Sequence, residues 1–142
     1  MSRFIKAPAT VPTHYHYMQH QWDNTGTNDY YVPFGASTSE YNSTVDALID
    51  DNAWIVPFAG KLIKAYLYCE SAIGDTDMKL NVNTSLGSSV LSGGVVDVAS
   101  KTTATFTCDQ NNTCSAGDLI RIFLDITAKS DSATMTTVWE ID

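Results

Sequence analysis

The run KLIKAYLYCE, residues 61 to 70, alternates residue by residue. Leu62, Lys64, Tyr66, Tyr68 and Glu70 fall on one side of an extended chain, and Ile63, Ala65, Leu67 and Cys69 fall on the other, which is wholly apolar. A period of two is the spacing at which a strand turns one face to a core and one to water. The run is therefore read as a half-buried β-strand, and its apolar side requires a second layer to cover it.

The same period returns downstream. In MKLNVNT (78–84), Met78, Leu80 and Val82 oppose Lys79, Asn81 and Asn83. In LIRIFLDIT (119–127), Ile120, Ile122, Leu124 and Ile126 form the core face against Leu119, Arg121, Phe123 and Asp125. ATMTTVWEID (133–142) sets Met135, Thr137 and Trp139 against Thr136, Val138 and Glu140, and stops without a polar tail, as a strand zipped into a sheet would. VLSGGVVDVA (90–99) and TTATFTC (102–108) are rich in β-branched residues, and IGDTD (73–77), SLGSS (85–89) and SAGD (115–118) punctuate the series as turns.

Upstream, THYHYMQHQW (13–22) and YYVPFG (30–35) also read as strands, the second limited by Pro33 to an edge or a bulge. STSEYNSTVDALIDD (37–51) is open between a loop and one short helix, because Val45, Leu48 and Ile49 have helical spacing behind Ser and Thr residues suited to capping. Many short strands with no recurring helix between them predict an all-β chain, an antiparallel β-sandwich of jelly-roll type. MSRFIKAPATVP (1–12), with prolines at 8 and 12, is expected as an extended N-terminal arm, leaving residues 13–142 as a single sandwich domain.

Eight Lys and Arg stand against 16 Asp and Glu, for a net charge of −8 and a pI near 4.5. A phosphate-binding groove needs clustered cations, so no nucleic-acid partner is expected. The basic start of the chain is followed by no apolar h-region, and no window approaches the roughly 20 apolar residues of a bilayer span. Neither export by that route nor a membrane partner is expected. Cys69, Cys108 and Cys114 form an odd set with no CxxC pair. Cys108 and Cys114 flank the polar turn DQNNT, where a hairpin-end disulfide would fit, but reduced, partly buried thiols are the expectation for a chain made in a cytoplasm.

All three histidines lie in THYHYMQHQW. His14 and His16 share a strand face, with His20 about 13 Å beyond His16 by strand rise. Two imidazoles fall short of the roughly three protein ligands of a catalytic zinc site. The run resembles the first cupin motif, H-x-H-x3-4-E, yet His20 stands in place of the glutamate and no later histidine completes the set. It is similar also to the HxH pairs of trimeric phage tail fibres, in which symmetry mates pool imidazoles around one metal. The plainer reading is a strand with polar His on one face and Tyr15, Tyr17 and Gln19 on the other. No metal or cofactor is expected within one chain.

The acids of ALIDDN and GDTD belong to a possible helix end and to a turn, where local hydrogen bonding accounts for them. No G-x-S-x-G elbow or glycine-rich phosphate loop is present. No catalytic residue is assigned, and the chain is expected not to be an enzyme. Seven Tyr and three Trp are generous for recognition, although strands favour aromatics for packing alone.

WIVPFAGKLIKAYLYCESA, SAGDLIRIFLDIT and MTTVWEID together resemble small β-sandwich virion proteins of tailed phages. The matching elements are Trp54 to Pro57, Gly60, Lys61 to Ser71, Ala116 to Asp118, and Trp139 to Glu140. The resemblance implies a structural component of the virion, assembled in the host cytoplasm: a capsid decoration (cement) protein, or a fibre or tail-associated module that binds a receptor or carbohydrate. Decoration proteins of this kind act as trimers whose arms bridge subunits of the major capsid protein. By that analogy Arg3, Phe4, Ile5 and Lys6 of the arm are the partner-binding residues. A sugar platform would instead draw on aromatic strands around Trp22.

Overall fold

A computed structural model describes residues 13–23, 30–37, 41–42, 53–73, 76–82, 90–96, 101–126 and 132–142. Every regular element among them is a β-strand: β1 (His14–Asp23), β2 (Tyr30–Val32), β3 (Gly35–Ser37), β4 (Tyr41–Asn42), β5 (Trp54–Ile55), β6 (Gly60–Ile73), β7 (Thr76–Val82), β8 (Val90–Val96), β9 (Lys101–Thr107), β10 (Thr113–Cys114), β11 (Leu119–Ile126) and β12 (Ser132–Ile141). Sheet 1 runs β10-β6-β12-β1-β3, with β9 on the edge of β6 that β10 also uses. Sheet 2 runs β4-β2-β11-β7-β8, with β5 beside β2 on β11.

The pairing is nested. β1 pairs with β12, β2 with β11, β6 with β9 and β7 with β8, all antiparallel. This is the pattern of one long hairpin rolled into two sheets, and it makes the sandwich a jelly roll. The core between the sheets is filled by Trp22, Leu62, Phe106 and Met135 with Trp139 from sheet 1, and by Met78, Ile120, Ile122 and Leu124 from sheet 2, all essentially inaccessible to solvent.

Two details of the strands depart from strict alternation. Ala65, Leu67 and Cys69 point inward as expected, but Leu62 does too, at 0% exposure, while Ile63 is only partly buried. The ladder shifts register between Val138 and Trp139, which pair with Lys64 and Leu62, so Ile63 is an extra, bulged residue and the face of everything before it is reversed. Asn112 takes up the irregular backbone: its carbonyl accepts from Leu62 N at 2.9 Å, and its side-chain Nδ2 donates to the carbonyls of Leu62 (2.6 Å) and Cys108 (2.7 Å). On β11, Arg121 and Phe123 are buried along with the expected core face, so this central strand is covered on both sides.

YYVPFG is not one strand. β2 ends at Val32 in sheet 2, and the chain crosses at Pro33 to β3, which lies parallel to β1 at the edge of sheet 1. A proline without an N–H suits the residue that leaves one ladder before joining another. The short-helix reading of 37–51 falls mainly outside the described residues, which hold from it only Ser37, the end of β3, and β4.

The elements that carried the family resemblance meet at one corner of the sandwich. Val56 N donates to Asp118 O at 2.9 Å, Gly117 N to Val56 O at 2.8 Å, and Asp142 N to Ala59 O at 3.1 Å. The SAGD turn is closed by Asp118 N to Ser115 O (3.1 Å) and by Ser115 N to Asp118 Oδ2 (2.8 Å), with Gly117 at φ +92°. Gly60 sits against the Glu140 carbonyl so closely that a Cβ would collide with it.

These two glycines are required for different reasons, and the difference is measurable. Gly60→Ala has no free volume and meets backbone, so it is expected to cost about 3 kcal/mol or more in urea unfolding. Gly117→Ala meets nothing within 4 Å and carries only its left-handed backbone, for a loss of about 1–2 kcal/mol. Equal losses would contradict the packing account.

Candidate functional site

The three histidines share the inward side of β1 but have different fates. His14 and His16 are exposed near the end of the sandwich, whereas His20 is completely buried. The His16 ring stacks on Trp54 (centroids 6.2 Å apart, 14° between planes) and meets the edge of Phe58 at 5.6 Å. Trp54 in turn lies edge-on to Trp139 at 5.7 Å, so His16 caps an aromatic seam of its own chain. Among the described residues no group of three or more His, Cys, Asp or Glu side chains is placed to hold a metal ion.

His20 is held by a directed chain of hydrogen bonds. Its Nδ1 lies 2.7 Å from the Pro33 carbonyl, which can only accept, so Nδ1 carries the proton. Nε2, 3.1 Å from Thr137 Oγ1, is then the acceptor of the threonine hydroxyl. Trp139 Nε1 donates to the same oxygen at 3.0 Å. The relay Trp139 to Thr137 to His20 to Pro33 leaves none of these groups unmatched, and Phe34 packs its ring against the imidazole at 5.1 Å. Burial holds His20 below its ordinary pKa of 6.5, against a smaller upward pull from the Pro33 carbonyl.

Among the described residues the acids and thiols form no cluster of three or more. Of the acids singled out in the sequence, Asp77 is described: it lies opposite Asp125 across β7 and β11, with its Oδ1 buried. Asp50, Asp51 and Asp75 lie outside the described residues, as do Arg3, Phe4, Ile5 and Lys6 of the arm. Cys69, Cys108 and Cys114 are buried and in no disulfide. Burial first and the Asp109 charge second push the Cys108 thiol up to about 12. Cys114 is raised by burial and by Asp118 and Asp142, partly offset by a backbone hydrogen bond at Gly60. Thiols held protonated in this way are poor nucleophiles.

The outward side of sheet 1 is the surface with a distinct character. Register places Tyr15 beside Glu140 and Tyr17 beside Val138 on one flank of β12, and Tyr66 beside Thr136 and Tyr68 beside Thr134 on the other. These tyrosines are 49%, 63%, 45% and 53% exposed, and with Ile55 they are the exposed large hydrophobics among the described residues. Val138 between them is only 8% exposed although it points outward. Lys61 Nζ and Glu140 Oε1 form an ion pair at 3.1 Å at one end. The period of KLIKAYLYCE signals two of these tyrosines, but nothing local signals that β12 will bring them alongside Tyr15 and Tyr17. Trp22, by contrast, is 2% exposed and belongs to the core, which removes it from any sugar platform.

No family model matches the chain, and no curated protein does. Solved structures similar to it include a chain in the acidic stable capsid structure of Helicobacter pylori bacteriophage KHP30 (TM-score 0.47, 9% identity, 92% of each chain covered). The globular domain of zebrafish complement 1qA aligns at TM-score 0.44 and 12% identity, over 87% of this chain and 94% of that one. A chain of the cyanophage Pam1 capsid asymmetric unit aligns at 0.40 and 10%, over 99% and 94%. These are distant likenesses of shape, and the jelly roll stands on the strand pairing of this chain itself.

A neutral, buried His20 makes stability depend on pH in a defined direction. Below 6.5 the unfolded chain takes up a proton that the native imidazole refuses, so this contribution is full above 6.5 and is lost as pH falls toward the lower native value. The slope is at most about 1.4 kcal/mol per pH unit. Urea unfolding between pH 7.5 and 5.5 is expected to show it in the wild type and not in His20→Gln. Thr137→Val, which strands both Trp139 Nε1 and His20 Nε2, is expected to cost about 2–4 kcal/mol at pH 7.5. The thiols make a separate prediction: iodoacetamide at pH 8 labels none of the three until denaturant is added.

Proposed function

We propose that the chain is a non-enzymatic structural protein of a phage virion, a capsid decoration or cement protein that docks on the shell and stabilises it. The observation that carries this reading is the convergence of the resembling elements at one corner. Trp54 to Pro57, Gly60, Ala116 to Asp118 and Trp139 to Glu140 are spent on backbone bonds and close packing, which suits a scaffold whose task is to hold its shape. The exposed tyrosines supply the second requirement, a broad surface suited to protein contact.

In this reading the major capsid protein is the partner, the particle is the location, and the protein works as a homo-oligomer, a trimer by the resemblance. The N-terminal arm makes the docking contact through Arg3 and Lys6, whose charges suit an acidic shell surface, and through Phe4 and Ile5, which offer apolar anchors. The domain supplies bulk and rigidity between the docking points. The fibre-type alternative, a receptor or carbohydrate module, loses the aromatic residue nearest its expected platform, because Trp22 is enclosed.

Deleting residues 1–12 is expected to leave a cooperative unfolding transition unchanged within about 0.5 kcal/mol while abolishing incorporation into particles. Incorporation at the wild-type level by the truncated chain would overturn the docking role of the arm.

A further inference from the structure

The outward face of sheet 1 combines features that rarely coincide on a strongly acidic protein. Tyr15 and Tyr17 on β1 and Tyr66 and Tyr68 on β6 flank β12, over a patch about 20 Å long and 10 Å wide by strand rise and spacing. The charged positions on the three strands are Lys61, Lys64 and Glu70 on β6, Glu140 on β12 and, in register with Ser132 at the end of β1, Asp23, two cations against three acids, and Lys61 and Glu140 are already paired. The chain as a whole carries −8, so most of its excess of negative charge lies elsewhere. Interface cores are depleted in charge and enriched in tyrosine, whose large rigid ring has little entropy to lose.

Where copies assemble, as the virion reading has them do, charge limits how they can approach. A second copy carries the same −8, and two such molecules repel over most possible approaches. They meet with least repulsion through a face on which each is nearly neutral. Val138 provides an apolar centre that is already largely covered within the monomer, so little polar surface has to be stripped of water there. We propose that this tyrosine face is an interface between copies of this chain. The inference deepens the virion reading by naming where copies meet, and it is independent of the arm.

The experiment uses the full chain and sedimentation velocity from about 1 to 100 μM, with native mass spectrometry. The wild type is expected to form a discrete oligomer. Tyr17→Glu combined with Tyr66→Glu places like charges opposite one another and removes two central rings, at about tenfold or more each, so the dissociation constant is expected to rise at least about 100-fold. Gln110→Glu adds negative charge on an exposed loop outside the three strands that carry the tyrosines and is expected to leave the oligomer intact. Unchanged far-UV dichroism and thermal unfolding in the double variant establish that it is folded.

A wild type that stays monomeric throughout would overturn the proposal, as would a folded double variant with the wild-type mass. So would an oligomer that is lost on deletion of residues 1–12 yet retained by the double variant, since that places assembly in the arm. Glycan binding by a monomeric chain, abolished by the same two substitutions, would assign the face to a carbohydrate and also overturn it. Failure of particle incorporation with the oligomer intact bears on the docking role alone.

Discussion

The jelly roll closes through one buried chain of hydrogen bonds, from Trp139 through Thr137 and His20 to the Pro33 carbonyl. Its members come from the first strand, the last strand and the crossover between the sheets. β1 and β12 are neighbours by ladder pairing, but a ladder alone would let Pro33 and β3 peel away at the edge. His20 supplies the tie. Because every donor in the relay finds an acceptor only when the imidazole is neutral and protonated on Nδ1, the polar interior enforces one tautomer and one placement of the crossover. A buried polar network of this kind specifies a single arrangement where apolar packing would tolerate several.

Much of this architecture was legible because the alternation is long-range in consequence and local in origin. The inward faces of β6, β7 and β12 follow from their period of two, and the closing strand is zipped into a sheet, between β1 and β6. The bulge at Ile63 was not legible: a single extra residue leaves the composition of KLIKAYLYCE unaltered while reversing Leu62 and Ile63. Its backbone is satisfied by Asn112, fifty residues away from Leu62, through both main chain and side chain. The division of YYVPFG between two sheets was hidden for a related reason. Pro33 announces that a ladder must break, but not that the chain resumes in the opposite layer.

The histidine cluster shows how residues of one type, on one face, part company by depth. At the open end of the sandwich His16 is an aromatic neighbour of Trp54, and two residue pairs further in, His20 is a core residue with both nitrogens engaged. Spacing placed them on the same side; only the tertiary fold sets how far each descends. The tyrosines illustrate the converse. Tyr15, Tyr17, Tyr66 and Tyr68 are distant in sequence, and it is the insertion of β12 between β1 and β6 that assembles them into one surface.

That surface is informative because of what surrounds it. Two like charges 4 Å apart cost about 1 kcal/mol in water and about 4 kcal/mol at the effective dielectric of a protein boundary, so association of an acidic protein is limited by how many carboxylates it must bring together. Screening at physiological salt, over about 8 Å, softens the approach but not the contact itself. A patch with balanced charge and exposed rings avoids the penalty where contact is closest, while the remaining acidic surface still discourages random clustering. The same −8 therefore gives the nearly neutral tyrosine face its selectivity.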